Sequence, residues 1–464
     1  MPSMYFRQIR LPDIGCASYL VGGDGVCAVV DPRWDAVRQY LGLCRQQGLA
    51  ITHVIETHTH ADHVSGATRL ASRSGATIHI HREAQASYPH ADLDDGDELA
   101  VGPARISVLH TPGHSRDSIS LLVCDAGGND PPRLLTGDTL FVGDIGRPDL
   151  HGSEASTLAS DLFDSLHGRL LSLDPTLEVL PGHLAGSLCG RQIAPDPSTT
   201  LERERATNAA LAITDRAAFV REIVADLPPR PPNMGRIVEL NRLGGPERRP
   251  EIERVTPVQA APRLTRLVVV DGRDYPDFAR GHLAGAINAP IGYGQFGVMV
   301  SWLVRSDVPL LLLAADEEDL LAAVDSLMVL GMTNPLASLE GTAADWTAAG
   351  LPVTALPTVE PADAARRLGT GEIGAVVDVR EPREVVAGGG TIAGARVIPY
   401  REIPTSSALA GLSGPVVAVC NSGNRSALGA SLLLRRGIAA LNLTGGTSAW
   451  TEAGLPLETP STAW

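Results

Sequence analysis

A short histidine-rich segment is the strongest sign of chemistry in this sequence. Residues 58–63 read HTHADH and place four potential metal ligands close together: His58, His60, Asp62 and His63. Neutral imidazoles bind borderline metals, and a carboxylate adds charge or a proton relay. Residues 53–56, which read HVIE, precede the segment and are predicted to form a short strand. We therefore expect the ligands on a loop at the carboxyl end of a strand, where ligands collect in α/β layers.

Three later residues have the same setting. Each follows or ends a short apolar run that predicts a strand: His114, Asp138 and His183. An isolated histidine is more often a packing or surface residue, so the shared placement carries the inference. Because strand ends at one edge of a sheet meet in space, the sequence predicts one metal site built from these segments.

A cysteine loop near the end of the sequence predicts a second centre. Residues 420–425 read CNSGNR, after an apolar run at 416–419 and before a helical pattern at 427–435. Backbone N–H groups at such a helix N-terminus point inwards and stabilise anionic sulfur. Gly423 permits a tight curve, and Arg425 can hold an anionic donor such as thiosulfate.

The other five cysteines are scattered, and none belongs to a CxxC pair. Cys189 lies six residues after His183 and could face the metal cleft as a sulfur-carrying thiol. The alternative for Cys189 is a buried, inert thiol. We expect the remaining four to be core residues: Cys16, Cys27, Cys44 and Cys124. So few cysteines fit a reducing compartment, and we expect a cytoplasmic protein.

The composition of the chain limits the classes of protein to which it can belong. The chain has 464 residues, of which 44% are hydrophobic and 20% charged, and this predicts several packed cores. The net charge of −15 argues against nucleic-acid and anionic-membrane partners, because phosphates require basic surfaces. The most apolar run, 308–332, is interrupted by acidic residues at 316–319 and cannot span a bilayer.

Strand and helix patterns alternate in the first half of the chain, as in α/β layers. Prolines are frequent between residues 228 and 262, which predicts a stiff linker and a boundary near residue 250. The remainder repeats itself, since residues 267–290 parallel residues 375–399. We therefore predict three domains, the last two being copies of one α/β unit: 1–250, 251–356 and 357–464.

The two copies differ where chemistry would occur. We call residues 251–356 the middle copy and residues 357–464 the C-terminal copy. Ala314 of the middle copy aligns with Cys420, and Asp319 aligns with Arg425. The middle loop reads AADEED, which has no nucleophile and repels anions. We predict that the middle copy is catalytically inactive and structural.

Taken in order, HTHADH, TPGHS, TGD and PGH resemble the metallo-β-lactamase superfamily, an αββα sandwich with metal between its two sheets. The segment TGDTLFVGDIGRPDL at 136–150 is similar to the persulfide dioxygenase branch of that superfamily. The resemblance implies one non-haem iron(II) per chain, with zinc as the alternative, held by His58, His114 and Asp138. It also implies a substrate-binding role for Arg147, whose alternative is a structural salt bridge. Four more residues would either surround these ligands without binding the metal or bind a second metal ion: His60, Asp62, His63 and His183.

The CNSGNR loop resembles that of a rhodanese domain, as do DVRE at 378–381 and GGTSAWTEAGLP at 445–456. This resemblance implies that Cys420 is the persulfide-forming nucleophile and that Arg425 is a catalytic residue beside it. The fold class that we expect is α/β, a metallo-β-lactamase αββα sandwich followed by two rhodanese-like α/β domains.

The order of the domains resembles that of bacterial sulfide-detoxifying fusion proteins. It implies that iron and O₂ oxidise the persulfide of a small thiol (glutathione, coenzyme A or a similar thiol) to sulfite and thiol. Cys420 would then make or use thiosulfate, and we expect a homo-oligomer. One alternative is a binuclear zinc thioesterase of the glyoxalase II type, because every ligand for two zinc ions is present. The other is a sulfur carrier or sensor scaffold that holds a persulfide on Cys420 without turnover.

Overall fold

The computed structural model describes residues 4–11, 13–150, 154–225, 227–334, 336–412 and 414–459. The chain divides into two compact units. The first comprises Met1–Arg249 with Met328–Gly331, and the second comprises Pro250–Leu327 with Met332–Trp464. Among the described residues, no helix combines the length and the apolar character needed to cross a bilayer.

Two six-stranded sheets form the centre of the first unit. The strands of the first sheet are β1 (Tyr5–Leu11), β2 (Cys16–Gly23), β3 (Val26–Val30), β4 (Ala50–Ile55), β5 (Thr77–His81) and β6 (Ala91–Leu93). They lie in sequence order, antiparallel from β1 to β3 and parallel from β3 to β6. The strands of the second sheet are β7 (Glu98–Val101), β8 (Ala104–His110), β9 (Ile119–Asp125), β10 (Arg133–Gly137), β11 (Glu178–Pro181) and β12 (Thr199–Thr200). Their order is β12-β11-β10-β9-β8-β7; β10 and β11 run parallel and the other pairs antiparallel.

Helices pack on the sheets of the first unit, while an apolar core fills the space between the two sheets. The helices are α1 (Val37–Gln46), α2 (Ala67–Ser74), α3 (Ala155–Phe163), α4 (Leu201–Thr207), α5 (Arg216–Ala225) and α6 (Met234–Arg242). Successive strand residues point to opposite faces of a sheet. Accordingly Leu135 joins the core between the sheets, whereas its neighbour Leu134 packs against helical residues such as Leu162 and Phe219.

The strands that the sequence predicts before the metal-site residues are present. β4 ends at Ile55, β8 at His110, β10 at Gly137 and β11 at Pro181. One strand of the first sheet and three of the second therefore end where the four histidine- and aspartate-bearing loops begin, as the strand patterns in the sequence indicate.

The second unit contains two five-stranded parallel sheets. Elements of the middle copy are β13 (Ile252–Val255), α7 (Pro257–Ala260), β14 (Val268–Asp271), α8 (Tyr275–Arg280), β15 (His282–Leu283), β16 (Ile287–Asn288), α9 (Phe296–Leu303), β17 (Leu310–Leu313), α10 (Glu317–Val329), β18 (Leu336–Leu339), α11 (Ala343–Ala348) and β19 (Val353–Thr354). Elements of the C-terminal copy are β20 (Thr358–Val359), α12 (Pro361–Gly369), β21 (Ala375–Asp378), α13 (Pro382–Ala387), β22 (Arg396–Val397), β23 (Val416–Val419), α14 (Asn424–Arg435), β24 (Ala440–Leu443) and α15 (Gly446–Glu452).

The two sheets of the second unit share one topology. The middle copy has the order β13-β18-β17-β14-β16, and the C-terminal copy has β20-β24-β23-β21-β22. The two orders are the same when the five sheet strands of the middle copy are matched in chain order with β20 to β24. The strands β15 and β19 pair with each other in a separate two-stranded sheet. The repeat in the sequence is therefore a repeat of fold.

Candidate metal centre and sulfur-transfer loop

Three of the predicted ligands converge at strand ends of the first unit. His58 follows β4, His114 follows β8 and Asp138 follows β10. The Nε2 atom of His58 lies 3.8 Å from Oδ2 of Asp138, and that of His114 lies 3.5 Å from it. One ligand atom of each residue lies within 4.8 Å of the other two, and all three side chains are buried. We call these three residues the ligand triad.

Hydrogen bonds at the opposite ring nitrogen orient both histidines of the triad. The hydroxyl of Thr57 donates to Asp31 at 2.8 Å, so it accepts from Nδ1 of His58 at 3.0 Å. Nδ1 of His114 donates to the backbone carbonyl of Arg147 at 2.9 Å. With the proton on Nδ1, the Nε2 lone pair of each ring faces the carboxylate of the triad. Burial lowers the pKa of His114, which favours the neutral imidazole that metal binding requires.

Arg147 is buried, and its guanidinium is held by the protein itself. It donates to both carboxylate oxygens of Asp149 at 2.7 Å, to the carbonyl of Pro228 at 2.6 Å and to that of Leu188 at 3.3 Å. Its own carbonyl is the acceptor that orients His114. These contacts make Arg147 a positioning residue for that ligand, and its role in substrate binding stays a prediction.

His60 belongs to a different group of side chains, although it is only two residues from His58. Its Nε2 atom lies 3.2 Å from Oε2 of Glu56 and 3.3 Å from Oδ1 of Asp31. The three side chains are buried, with ligand atoms within 4.8 Å of one another. Burial alone would lower the pKa of His60, but hydrogen bonds and charge from the two carboxylates raise it well above its ordinary value. The ring of His60 lies close to that of His58, with centroids 4.2 Å apart, but its Nε2 atom is grouped with these two carboxylates and not with the triad.

The remaining predicted ligands form a second cluster that includes one unexpected member. Asp62, His63, His183 and Cys16 each offer a ligand atom within 4.8 Å of the others. Nε2 of His183 lies 2.7 Å from Asp62, and its Nδ1 lies 2.7 Å from Asp138 of the triad. The expectation that Cys16 is a plain core residue was wrong in part. It is buried, but its Sγ lies 3.4 Å from His183 and 3.6 Å from His63, because β2 begins beside the loop after β11.

Two residues that the sequence did not single out hold the HTHADH loop in place. The carboxylate of Asp117 accepts from the backbone N–H of Thr59 at 2.7 Å and from its hydroxyl at 2.6 Å. Asn241 of α6 donates to the backbone carbonyls of His60 at 2.9 Å and His63 at 2.8 Å. Neither residue belongs to a recognisable sequence motif, and each lies beside the loop only because of how the chain folds.

Cys189 lies beside the triad. Its ligand atom is within 4.8 Å of those of Asp138 and His183. The residue is buried in an apolar cluster with Phe141 and Met234, and burial raises the pKa of its thiol well above the ordinary value. A sulfur-carrying role for Cys189 stays a prediction.

The donor set of the triad fits a divalent transition metal. Oδ2 of Asp138 is buried and has no hydrogen-bond partner among the described residues. A carboxylate oxygen buried in this way is costly unless a cation compensates its charge. His58, His114 and Asp138 would hold that metal, and two imidazoles with one carboxylate suit iron(II) and zinc alike.

In the second unit, Cys420 follows β23 and is buried at the base of the CNSGNR loop. The backbone N–H of Gly423 donates to its Sγ at 3.1 Å, and Oγ of Ser426 lies 3.4 Å away. Gly423 has a φ of 97°, so the expected tight curve uses the left-handed conformation that favours glycine. α14 begins at Asn424, and its N-terminal N–H groups therefore lie beside the thiol.

Arg425 lies in the first turn of α14, with Nη1 2.6 Å from Oε2 of Glu384. Its Nε atom is buried and has no hydrogen-bond partner in the described part of the chain. An anionic donor would therefore compete with Glu384 for the guanidinium. In the middle copy, the corresponding turn is closed by Asp316, which accepts from the backbone N–H of Asp319 at 2.9 Å.

Models of two known families match separate parts of the chain. A family model of the metallo-β-lactamase superfamily matches residues 11–183, and one of the rhodanese-like domain matches residues 360–453. The chain is 31% identical over 202 residues to the probable metallo-hydrolase YqgX of Bacillus subtilis (strain 168), covering 39% of this chain and 90% of that protein. It is 24% identical over 210 residues to the mitochondrial persulfide dioxygenase ETHE1 of Bos taurus, covering 45% and 76%.

A solved structure shows the same fold. The metallo-β-lactamase from Staphylococcus aureus subsp. aureus COL superposes with a TM-score of 0.64 at 29% identity, covering 73% of this chain and 99% of that one. The expected α/β fold class, a metallo-β-lactamase fold with a C-terminal rhodanese-like domain, is confirmed. The chain belongs to the metallo-β-lactamase superfamily, and it carries a rhodanese-like domain in its C-terminal part.

Proposed function

We propose that the protein is a persulfide dioxygenase that uses one non-haem iron(II) per chain and is coupled to a rhodanese sulfurtransferase. The observation that carries the proposal is the separation of the histidines. His58 and His114 share one group of ligand atoms with Asp138, whereas His60 pairs with two buried carboxylates. Two histidines and one carboxylate with open positions are the ligands of non-haem iron(II) oxygenases. The likeness to the bovine persulfide dioxygenase supports the same class.

The first reaction would consume a small thiol persulfide, O₂ and water and would release thiol, sulfite and protons (RSSH + O₂ + H₂O → RSH + SO₃²⁻ + 2H⁺). Iron held by the triad would supply the redox chemistry with O₂. The protein residues bury the site, and Thr57 and the carbonyl of Arg147 fix the ring orientations of the two histidines. Glutathione and coenzyme A are thiols of the required kind. The proposal places this chemistry in the cytoplasm, where small thiols are kept reduced.

Cys420 would carry sulfane sulfur in the second reaction. The persulfide anion on Cys420 gives its outer sulfur to sulfite, so its S–S bond breaks, the thiolate leaves with the electron pair and thiosulfate forms. The reverse reaction loads Cys420 from thiosulfate. The N–H of Gly423 and the N-terminus of α14 stabilise the thiolate in either direction. Because both centres are on one chain, the sulfite made at one is concentrated near the other.

Metal analysis of anaerobically purified protein, combined with O₂ uptake on addition of glutathione persulfide, tests the proposal. We expect about one iron per chain and rapid uptake with formation of sulfite. Asp138→Ala should lose both, whereas Asp92→Ala, at an exposed aspartate of the same unit, should lose neither. Iron-free protein containing zinc that takes up no O₂ would refute the dioxygenase.

One observation favours a second candidate, a binuclear zinc thioesterase. The cluster of Cys16, Asp62, His63 and His183 lies directly beside Asp138 and has ligand atoms close enough to hold a second metal. This candidate predicts about two zinc ions per chain and thioester hydrolysis without O₂ uptake, so the same measurements separate it from the dioxygenase.

A further inference from the structure

A carboxylate from the neighbouring helix α13 is held against the guanidinium of the Cys420 loop. Oε2 of Glu384 lies 2.6 Å from Nη1 of Arg425. The same oxygen accepts the backbone N–H of Glu381 at 3.1 Å, in the capping box that begins α13. Two donors therefore fix this carboxylate. The side chain of Arg425 is only 14% exposed, so salt screens the pair less than it screens a fully exposed one.

Arg425 interacts electrostatically with Cys420 as well as with Glu384. Burial acts to lower the pKa of Arg425, whereas the charge of Glu384 and, to a smaller extent, that of Cys420 raise it. Negative charge at the sulfur and the carboxylate of Glu384 thus act on the same guanidinium. An anionic donor that approaches Cys420 meets an arginine whose charge is already compensated.

The second arginine of this region is compensated in the same way. Arg401 donates to both carboxylate oxygens of Glu381, at 3.0 and 2.9 Å, and to Glu402 at 2.6 Å. Burial raises the pKa of the Tyr400 phenol, and charges on four side chains act on it as well: Arg425, Glu381, Arg401 and Glu384. Both ion pairs therefore lie around one phenol. With Glu402 included, three carboxylates face two guanidiniums, which gives this group a net charge of −1.

The middle copy contains an acid at the equivalent position but pairs it differently. Asp277 is the third residue of α8, as Glu384 is the third residue of α13. Its carboxylate pairs with Arg280 of its own helix. The loop position that corresponds to Arg425 is occupied by Asp319, so no cation is offered there. An acid near the start of this helix is thus common to both copies, whereas the pair with a loop arginine accompanies the nucleophile.

We propose that Glu384 is a specificity-determining residue of the Cys420 site, which selects sulfur donors by charge and favours donors with one negative charge over dianions such as thiosulfate. The inference rests on the sulfurtransferase part of the proposed function. Glu384 competes with the donor for Arg425 and also repels it. Because the Coulomb energy is proportional to the charge of the donor, the cost for a dianion is twice the cost for a monoanion at the same place. The anions of thiol persulfides and of thiosulfonates carry a single charge at the reacting end.

The chemistry of loading is a sulfur transfer without net redox change. The thiolate of Cys420 attacks the outer sulfur of the donor, the S–S bond of the donor breaks, and the remainder leaves with the bonding electron pair. This leaving group is sulfite from thiosulfate and methanesulfinate from methanethiosulfonate. Cyanide then attacks the outer sulfur of the Cys420 persulfide, leaves as thiocyanate and restores the thiolate. Glu384 takes no part in these steps and should act on donor binding.

Sulfur transfer to cyanide from thiosulfate and from methanethiosulfonate, measured with the full-length protein, tests the role of Glu384. Thiosulfate carries two negative charges and methanethiosulfonate carries one. Removing one neighbouring charge in a water-like dielectric changes affinity about 2- to 3-fold per unit of donor charge. We therefore expect Glu384→Gln to raise kcat/KM about 2- to 3-fold for methanethiosulfonate and about 4- to 9-fold for thiosulfate. The gain should come from KM, with kcat changed less than about 2-fold.

Glu372→Gln is the matched control, because it makes the same chemical change at another carboxylate of the C-terminal copy. Glu372 is paired with Arg366 at 3.1 Å. It precedes β21, whereas Cys420 follows β23, and the two strands run parallel. Glu372 therefore lies at the opposite edge of the sheet from the loop. Its replacement should leave kcat/KM for both donors within about 2-fold of the wild-type values.

Equal gains for the two donors in Glu384→Gln, or no gain, would overturn the inference, and so would the same gains in Glu372→Gln. If the wild-type protein transfers sulfur from neither donor, the proposed sulfurtransferase is refuted and the inference falls with it. That outcome is distinct from transfer with an unchanged donor preference. Glutamine can occupy the same place in the capping box, so we expect the variant to fold, and thermal unfolding verifies this. Glu384→Ala replaces it if the glutamine variant is not folded.

Discussion

Replacing His60 with glutamine should destabilise the first unit and leave its metal content intact. Nε2 of His60 lies 3.2 Å from Glu56 and 3.3 Å from Asp31, and all three side chains are buried. Removing one partner of a buried ion pair costs about 3–5 kcal/mol, because the other charge is left uncompensated. Glutamine still donates a hydrogen bond, so we expect a loss of about 3 kcal/mol, the lower end of that range.

Hydrogen exchange followed by mass spectrometry of peptides measures this loss, because a chain of several domains does not unfold in a single step. A loss of about 3 kcal/mol corresponds to about 100-fold faster exchange in slowly exchanging peptides from β3 and β4. Peptides from the second unit provide an internal control and should keep their rates. Iron content should stay at about one per chain, since His60 is outside the triad.

His114→Gln is the matched comparison, because it removes a ligand of the triad by the same chemical change. It should abolish iron binding. The reasoning about His60 fails if His60→Gln loses iron as completely as His114→Gln while its exchange rates stay at wild-type values. His60 would then be a metal ligand rather than the partner of two carboxylates.

Three further changes probe other parts of the molecule. Arg147→Lys should weaken iron affinity about 10- to 100-fold in a chelator competition, because Arg147 positions His114. Arg116→Ala, a change at an exposed arginine, should leave the iron affinity unchanged. Equal iron affinities in the two variants would contradict the positioning role of Arg147. Burial lowers the pKa of His79 from 6.5 to about 4, so its neutral ring stabilises the fold above pH 6.5 and this stabilisation is lost as the pH falls towards 4. Allowing for solvent screening, the loss is about 1–2 kcal/mol. His79→Gln should flatten the pH dependence of the opening free energy that hydrogen exchange gives for peptides from β5, and an unchanged pH dependence would contradict this account. Cys420→Ser should abolish sulfur transfer to cyanide and retain iron-dependent O₂ uptake, whereas loss of both would show that the two centres are not separate.

The candidate metal ligands could be predicted from the sequence because they lie at strand ends. The carboxylate partners of His60 could not. Asp31 follows β3 and Glu56 follows β4, and neither has a local pattern that points to a histidine. β3 and β4 pair in parallel with Val30 opposite Ile55, so the next residue of each strand lies at the same edge. Only this register brings both carboxylates to one imidazole, and the grouping of His60 with them follows from the fold rather than from the spacing of HTHADH.

The first two strands, and with them the place of Cys16, also escaped prediction. β1 interrupts its apolar residues with Arg7, Gln8 and Arg10, which gives no clean alternation. β2 is buried along its whole length, yet its sequence CASYLVGG contains small residues and a glycine pair that lower strand propensity. Its burial comes from its position between neighbouring strands and against the second sheet. A lone cysteine at the start of such a strand gives no sign that it lies beside metal ligands.

The repeat shows why likeness between the two copies reports fold rather than activity. Nη2 of Arg380 donates to Asp378 at 2.6 Å, and that of Arg273 donates to Asp271 at 2.6 Å, at the ends of the equivalent strands β21 and β14. Each arginine also donates to a backbone carbonyl further along the chain, so the pair ties a strand end to a loop. Loss of either buried pair would cost stability, and both copies contain it. The middle copy keeps this pair but has Ala314 and Asp319 where the C-terminal copy has Cys420 and Arg425. The fold therefore tolerates loss of the residues that would do chemistry as long as the structural pair is kept.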